Sequence, residues 1–208
     1  MTPALDPKDL VVHPGQGEKT SSDMVMVLRP HRLGGHFSIM EGEVRPNELL
    51  AFHTHANEDQ HMYIIEGELQ FEVGGAQGVR FSAGPGCHVL KPRGSTHGFW
   101  NTGDTTARYI ETSTQDGFER FVDSRQEGLG SMLGQATQDL GMSFETQRTL
   151  EVMKENKLTG LAGANLPDPK ALLGDSSFRT MMASNSAARE LFLYLGGTKL
   201  REAVRDIL

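Results

Sequence analysis

Two runs of this chain decide how it is read: His53-Thr54-His55-Ala56-Asn57-Glu58-Asp59-Gln60, continuing to Gly67, and Gly86-Cys87-His88-Val89-Leu90-Lys91-Pro92-Arg93-Gly94-Ser95-Thr96-His97-Gly98-Phe99-Trp100-Asn101. Each is built of short strand-like stretches. Side chains two apart on a strand share a face, so His53 and His55 project together. His97 arrives from a separate stretch, after a Pro92-Arg93-Gly94 turn in which proline fixes a backbone angle and glycine permits a bend. Three histidines and one amide side chain, Gln60, in two such blocks are what a metal pocket inside a small β-barrel needs.

The flanking sequence supports a barrel. Phe37–Val44 alternates apolar and polar residues, Glu48–His55 ends in the two histidines, and Met62–Ile65, Leu69–Val73, Val79–Phe81, Cys87–Leu90, His97–Trp100 and Arg108–Thr112 follow at short intervals. Such strands, punctuated by Gly and Pro, indicate a sandwich or closed barrel. After Gln115 the pattern becomes helical. Phe118, Phe121 and Val122 share one face, a second helix is expected from about Ser143 (as N-cap) to Asn156, Ser186 is expected to cap a third ending at Gly196-Gly197, and Thr198 a last one. The expected organisation is an N-terminal arm (1–22), a β-barrel (23–115) and a helical C-terminal extension (116–208).

These residues resemble the cupin superfamily. Its second signature is matched at each fixed position, Gly86, Pro92, Gly94, His97 and Asn101, and its first at His53, His55 and Gly67. The first signature departs at Asn47, where a glycine is expected, and at Gln60, where a glutamate ligand is expected. Asn tolerates a left-handed backbone, so the Asn47 change is mild. The resemblance covers about residues 24–121 and implies a cupin-type jelly-roll barrel in which His53, His55 and His97 ligate a divalent metal. Fe(II) is the leading ion, with Mn, Ni, Co and Zn in the same donor class. It also implies an oxygenase resembling the quercetin-dioxygenase-like cupins, acting with dioxygen on a small aromatic or enolisable substrate, and a homodimer. The alternatives are a metal-dependent isomerase, cyclase or lyase without dioxygen, and a non-catalytic small-molecule binder.

Gln60 bears on the chemistry. A carboxamide is neutral and cannot accept a substrate proton, but it can offer its oxygen to a metal or hydrogen-bond a bound molecule. It is expected to point into the pocket with Met62 and Ile64, as a weak fourth ligand and tuning residue. A shifted turn would instead bring Glu58 or Asp59 inward. Three neutral imidazoles without an anionic ligand favour a substrate that binds as an anion. Met40, Met62, Ile64, Phe99 and Trp100 are candidate lining or core residues, and Arg45, Arg93 and Glu111 are assigned to neither pocket nor solvent. Phe118 and Phe121 are expected to pin a helix to the barrel, and Cys87 to be buried.

The 208 residues carry a net charge of −7, which argues against nucleic-acid binding. No apolar run is long enough for a membrane helix. With a single cysteine no internal disulfide forms, which suits a reducing cytoplasm.

Overall fold

The computed structural model describes residues 10–20, 22–124, 140–163, 174 and 176–196. The strands are β1 (Glu18–Lys19), β2 (Val25–Leu28), β3 (Phe37–Val44), β4 (Glu48–His55), β5 (Gln60–Glu66), β6 (Leu69–Val73), β7 (Val79–Ala83), β8 (His88–Lys91), β9 (His97–Trp100), β10 (Ala107–Thr114), β11 (Met142–Phe144) and β12 (Gly160–Leu161). The helices are α1 (Gly117–Ser124), α2 (Thr146–Asn156), α3 (Ser176–Ser184) and α4 (Ser186–Leu195). The first sheet runs β1-β2-β3-β10-β5-β8. The second runs β11-β4-β9-β6-β7, with β12 added parallel to β4. The two sheets enclose a core of alternate residues, among them Met40, Met62, Ile64, Phe71, Phe99 and Tyr109. This is a cupin-type jelly roll with helices after it.

Tight turns hold the strands in register. Asn47 takes the left-handed conformation anticipated for it (φ 63°). Gly67, at φ 76°, packs so closely that a Cβ would lie 2.7 Å from the Ala107 Cα. Asn101 closes another turn: its side chain donates to the carbonyls of Val44 and Thr105 and accepts from the Gly103 amide.

Strand β4 carries an irregularity. Its pairing with β9 shifts register between Leu50 and His53. Leu49 and Phe52 face the outer cluster, while Leu50 and His53 face the interior. A bulge of this kind reverses the phase of alternation, and strict alternation along Glu48–His55 could not have placed all four residues correctly.

The C-terminal extension is more than helical. Strand β11 pairs with β4 along His53–His55, and β12 pairs with the start of β4. Ser143 therefore lies in a strand, not at a helix cap, and α2 begins at Thr146. Helix α4 is capped one residue earlier than expected, by Asn185, whose side chain accepts from the Ala188 amide. Helix α3 was not anticipated. The outer face of the second sheet, Leu49, Phe52 and Trp100, is covered by Leu150, Val152 and Met153 of α2 and Leu191 of α4. Arg148 of α2 clamps the buried Glu72 of β6 through two hydrogen bonds. The helix expected from Thr198, part of the arm (1–9) and the linker segment 164–169 lie outside the described residues. Among the described residues no helix is long and apolar enough to cross a membrane.

Gly67→Ala is expected to lose about 2–4 kcal/mol, because a left-handed backbone and an overlap with Ala107 add. Gly94→Ala shares the positive φ of 75° but meets no atom within 4 Å, so it should lose only about 1–2 kcal/mol. Urea melts of the two variants measure the difference.

Candidate metal centre

The polar end of the interior is assembled by register. On the inner face of the first sheet, Ser38 of β3 pairs with Ser113 of β10, Ser113 with Gln60 of β5, and Gln60 with Lys91 of β8. All four are buried. In the opposing second sheet, His53 and His55 of β4 and His97 of β9 are buried too, and His53 pairs directly with His97. One donor atom from each histidine lies within 4.8 Å of those of the other two. The ring centroids are 4.9 Å apart for His53–His55, 4.5 Å for His53–His97 and 5.7 Å for His55–His97.

Each imidazole is held from behind by its Nδ1. His53 Nδ1 lies 2.7 Å from the Ala51 carbonyl oxygen, inside the β4 irregularity, and His97 Nδ1 lies 3.0 Å from the Ser95 carbonyl. His55 Nδ1 lies 3.1 Å from Glu58 Oε2. A carbonyl or carboxylate partner selects the tautomer with the proton on Nδ1, which leaves Nε2 as a free lone pair. Nε2 of His55 and of His97 are buried with no hydrogen-bond partner. Gln60 donates its amide to Ser113 Oγ at 3.0 Å, and its own Oε1 is also buried and unpartnered, as is Ser38 Oγ. Buried polar atoms are nearly always satisfied, so four orphans at one end of a core mark a place for a bound group. A lone-pair set of imidazoles is the donor chemistry of a divalent transition-metal ion. The three-histidine cluster fits such an ion.

Burial keeps these rings neutral. Desolvation drives His53 and His97 well below the ordinary histidine range and His55 to about 3, with the Lys91 ammonium adding to the effect on all three. Burial also raises the Glu58 carboxyl, against the Phe118 and Gly117 amides that pull it back.

Other expected site residues separate in the structure. Gln60, Met62 and Ile64 face inward together, and His61 lies on the outer side of the sheet against His88. Asp59 turns outward to an ion pair with Arg93, and Arg45 is exposed beside Glu43 and Glu48. Trp100 faces the helices rather than the pocket. Cys87 is exposed, because β8 begins at His88 and turns Val89 and Lys91 inward. Met40, Met62, Ile64 and Phe99 are core.

Phe118 and Phe121 do more than pin α1. With Leu50, Met142 and Phe144 they line a cavity of about 50 Å³ that reaches His53. Phe118 meets the His55 ring edge-on and Phe144 lies 5.8 Å from the His53 ring. Sequence reasoning also missed Lys91. Its side chain is 0% exposed and donates to Glu111 Oε2 at 2.7 Å, with the ammonium 5.4 Å from the Phe99 ring. Alternation from Val89 was the signal for it, and Tyr109–Glu111–Ser113 was the signal for Glu111.

Residues 37–113 match the family model described as a cupin domain. A comparison with curated proteins finds no match. Solved structures similar to the chain include a putative sugar phosphate isomerase from Acidithiobacillus ferrooxidans (17% identity, 53% of this chain and 78% of that one, TM-score 0.42). A polyketide cyclase from Streptomyces resistomycificus is similar at 23% identity (50% and 78%, TM-score 0.43). A protein with a double-stranded β-helix domain from Klebsiella pneumoniae is similar at 20% (53% and 89%, TM-score 0.40). The matched stretch spans β3 to β10, so α1 and β11, which wall the cavity beside His53, lie beyond the matched residues.

Two outcomes follow. An unfolded histidine protonates near 6.5, and the buried ones only well below it. The unfolded state therefore binds more protons as pH falls through that window, and metal-free protein should lose stability there. The raised Glu58 works in the opposite sense: its contribution is present at low pH and is lost as pH rises through its folded value. Thermal melts against pH should accordingly show a shallower acid loss in His53→Gln/His97→Gln than in the unaltered chain. For the buried ion pair, Lys91→Met alone should cost about 3–5 kcal/mol, because Glu111 is left unpaired. Lys91→Met/Glu111→Leu should recover most of that in urea melts.

Proposed function

We propose that this protein is a metal-dependent oxygenase of the cupin type, acting on a small aromatic or enolisable compound that binds as an anion. In this reading His53, His55 and His97 hold a divalent ion through Nε2, and Gln60 presents Oε1 as a weak fourth donor. Fe(II) is the first candidate, and Mn, Ni, Co and Zn share the donor preference. The observation that carries the reading is the pair of buried, unpartnered Nε2 atoms on imidazoles whose Nδ1 atoms are already engaged. A bound ion would supply charge and open coordination positions at which an anionic substrate and dioxygen meet.

The chain's own residues support an anionic substrate. All three rings are held neutral and Gln60 carries no charge, so no ligand in the set offsets a divalent ion. The Lys91 ammonium lies within electrostatic reach of the three histidines, although Glu111 balances much of its field. Gln60 cannot take a proton, so a substrate already ionised at neutral pH suits the site better than one that needs a base there. Phe118, Phe121 and Phe144 give the approach to His53 an apolar lining and favour a flat apolar body behind the anionic group.

A second reading, an isomerase, cyclase or lyase that uses the ion as a Lewis acid, draws on the buried Lys91–Glu111 pair as a proton-handling group that oxygen insertion does not require.

Elemental analysis of freshly isolated protein is expected to find about one divalent transition-metal ion per chain, and His53→Ala, His55→Ala or His97→Ala should each abolish its retention. Oxygen uptake with small aromatic or enolic acids separates the oxygenase from the second reading. Turnover that persists after complete removal of metal would sink both.

A further inference from the structure

We infer that Glu58 is the carboxylate of this metal centre, acting through His55 rather than on the ion. The inference rests on the metal reading above and extends it to a residue outside the donor cluster. Glu58 is 2% exposed, meets His55 at Nδ1 and is not a member of the cluster of donor atoms formed by the three histidines. Its Oε2 faces His55 Nδ1 at 3.1 Å, and its Oε1 accepts the Phe118 amide at 3.0 Å. Both oxygens are thus spoken for, one by a ligand ring and the other by the first turn of α1.

The placement compensates for Gln60. A glutamine two residues later points its neutral oxygen at the interior, and the negative charge that this donor lacks stands instead behind His55. A carboxylate accepting the Nδ1 proton fixes the ring's rotation, keeps the lone pair on Nε2 and makes that nitrogen a better donor. The other two imidazoles have only neutral carbonyls behind them, Ala51 and Ser95. His55 is therefore the most basic donor of the three when an ion is bound.

Helix α1 is built to hold this carboxylate. Gly117 lies against it, and a Cβ there would stand 3.2 Å from Glu58 Oε2 and 3.0 Å from the Leu140 carbonyl oxygen. The next residue, Phe118, contributes its amide to Glu58 and its ring to the edge of His55. Arg29 anchors the helix through Glu119 and Asp123. The same helix thereby lines the cavity at His53 and positions the acid that orients His55, so Glu58 is a positioning residue.

The test uses full-length protein stripped of metal by chelation and compares the unaltered chain, Glu58→Gln, Gln60→Glu and Glu58→Gln/Gln60→Glu. Affinity for Co(II) and Zn(II) is measured by competition with a chromophoric chelator, and apo melting temperatures report folding. Glu58→Gln should bind 10- to 100-fold more weakly, on the order seen when such outer partners are removed, and the double variant should regain most of the loss. Independently, ¹⁵N NMR of the metal-free unaltered chain should show His55 protonated on Nδ1. A folded Glu58→Gln with unchanged affinity, no rescue in the double variant, or His55 protonated on Nε2 would each overturn the assignment. Should Glu58→Gln fail to fold, the tautomer of the unaltered chain still decides. Failure of the unaltered chain to bind any divalent ion sinks the metal reading, and Nδ1 protonation of His55 would then leave Glu58 assigned as its hydrogen-bond partner only.

Discussion

A buried polar atom must find a partner, and that constraint shapes this barrel. An orphaned donor or acceptor in a core costs about 1–3 kcal/mol, and here several stand at one end of the interior: Nε2 of His55 and His97, Gln60 Oε1 and Ser38 Oγ. Their opposite faces are satisfied with care. For His97, His55 and Gln60 respectively, the Ser95 carbonyl, the Glu58 carboxylate and the Ser113 hydroxyl take one side of the side chain and leave the other side bare. A fold that spends its hydrogen bonds in this one-sided way is arranged around something that fills the gap.

The remaining architecture can be understood as support for that end. The β4 irregularity sends Phe52 and Leu49 out to the helices while His53 and His55 stay inside, so one strand serves two clusters. Strand β11 covers β4 over the two histidines and carries Phe144 to the His53 ring. Helix α1 closes the approach with Phe118 and Phe121 and is tied by Arg29, whose guanidinium is held firmly protonated by the hydrogen-bonded carboxylates of Glu18, Asp123 and Glu119. Electrostatically, a buried cation beside three uncharged rings is tolerable only because Glu111 sits against it. The desolvation of two charges makes such a pair an expensive feature to keep, which singles it out in an interior that is otherwise mostly apolar.

Much of this was legible from residue order. Register follows from period-two alternation, and β3, β4, β6 and β9 begin and end where the alternation and turn residues place them. Alternation also put His53 and His55 on one face, whereas the convergence of His97 with them was legible only through the resemblance of the two blocks to the cupin signatures. Other features were not. Lys91 reads as a surface residue by type, and only the inward phase of Val89 betrays it. Ser143 has the chemistry of a helix cap, yet pairing with Thr54 of β4 draws it into a strand, a case of tertiary contact overriding local preference. Phe118 and Phe121 were correctly placed on one helical face, but a helix face does not reveal that it borders a cavity.

The order of residues alone determined that His53 and His55 share a strand face and where many of the turns must fall. Those are consequences of local backbone geometry. Tertiary structure alone decided which ring nitrogen is left free, which carboxylate stands behind His55 and which turns out to Arg93, and that a lysine is enclosed beside the site. Each of these depends on angles and distances between segments far apart in the chain, and a short bulge or a helix end settles them without any change in the pattern that announces the strands.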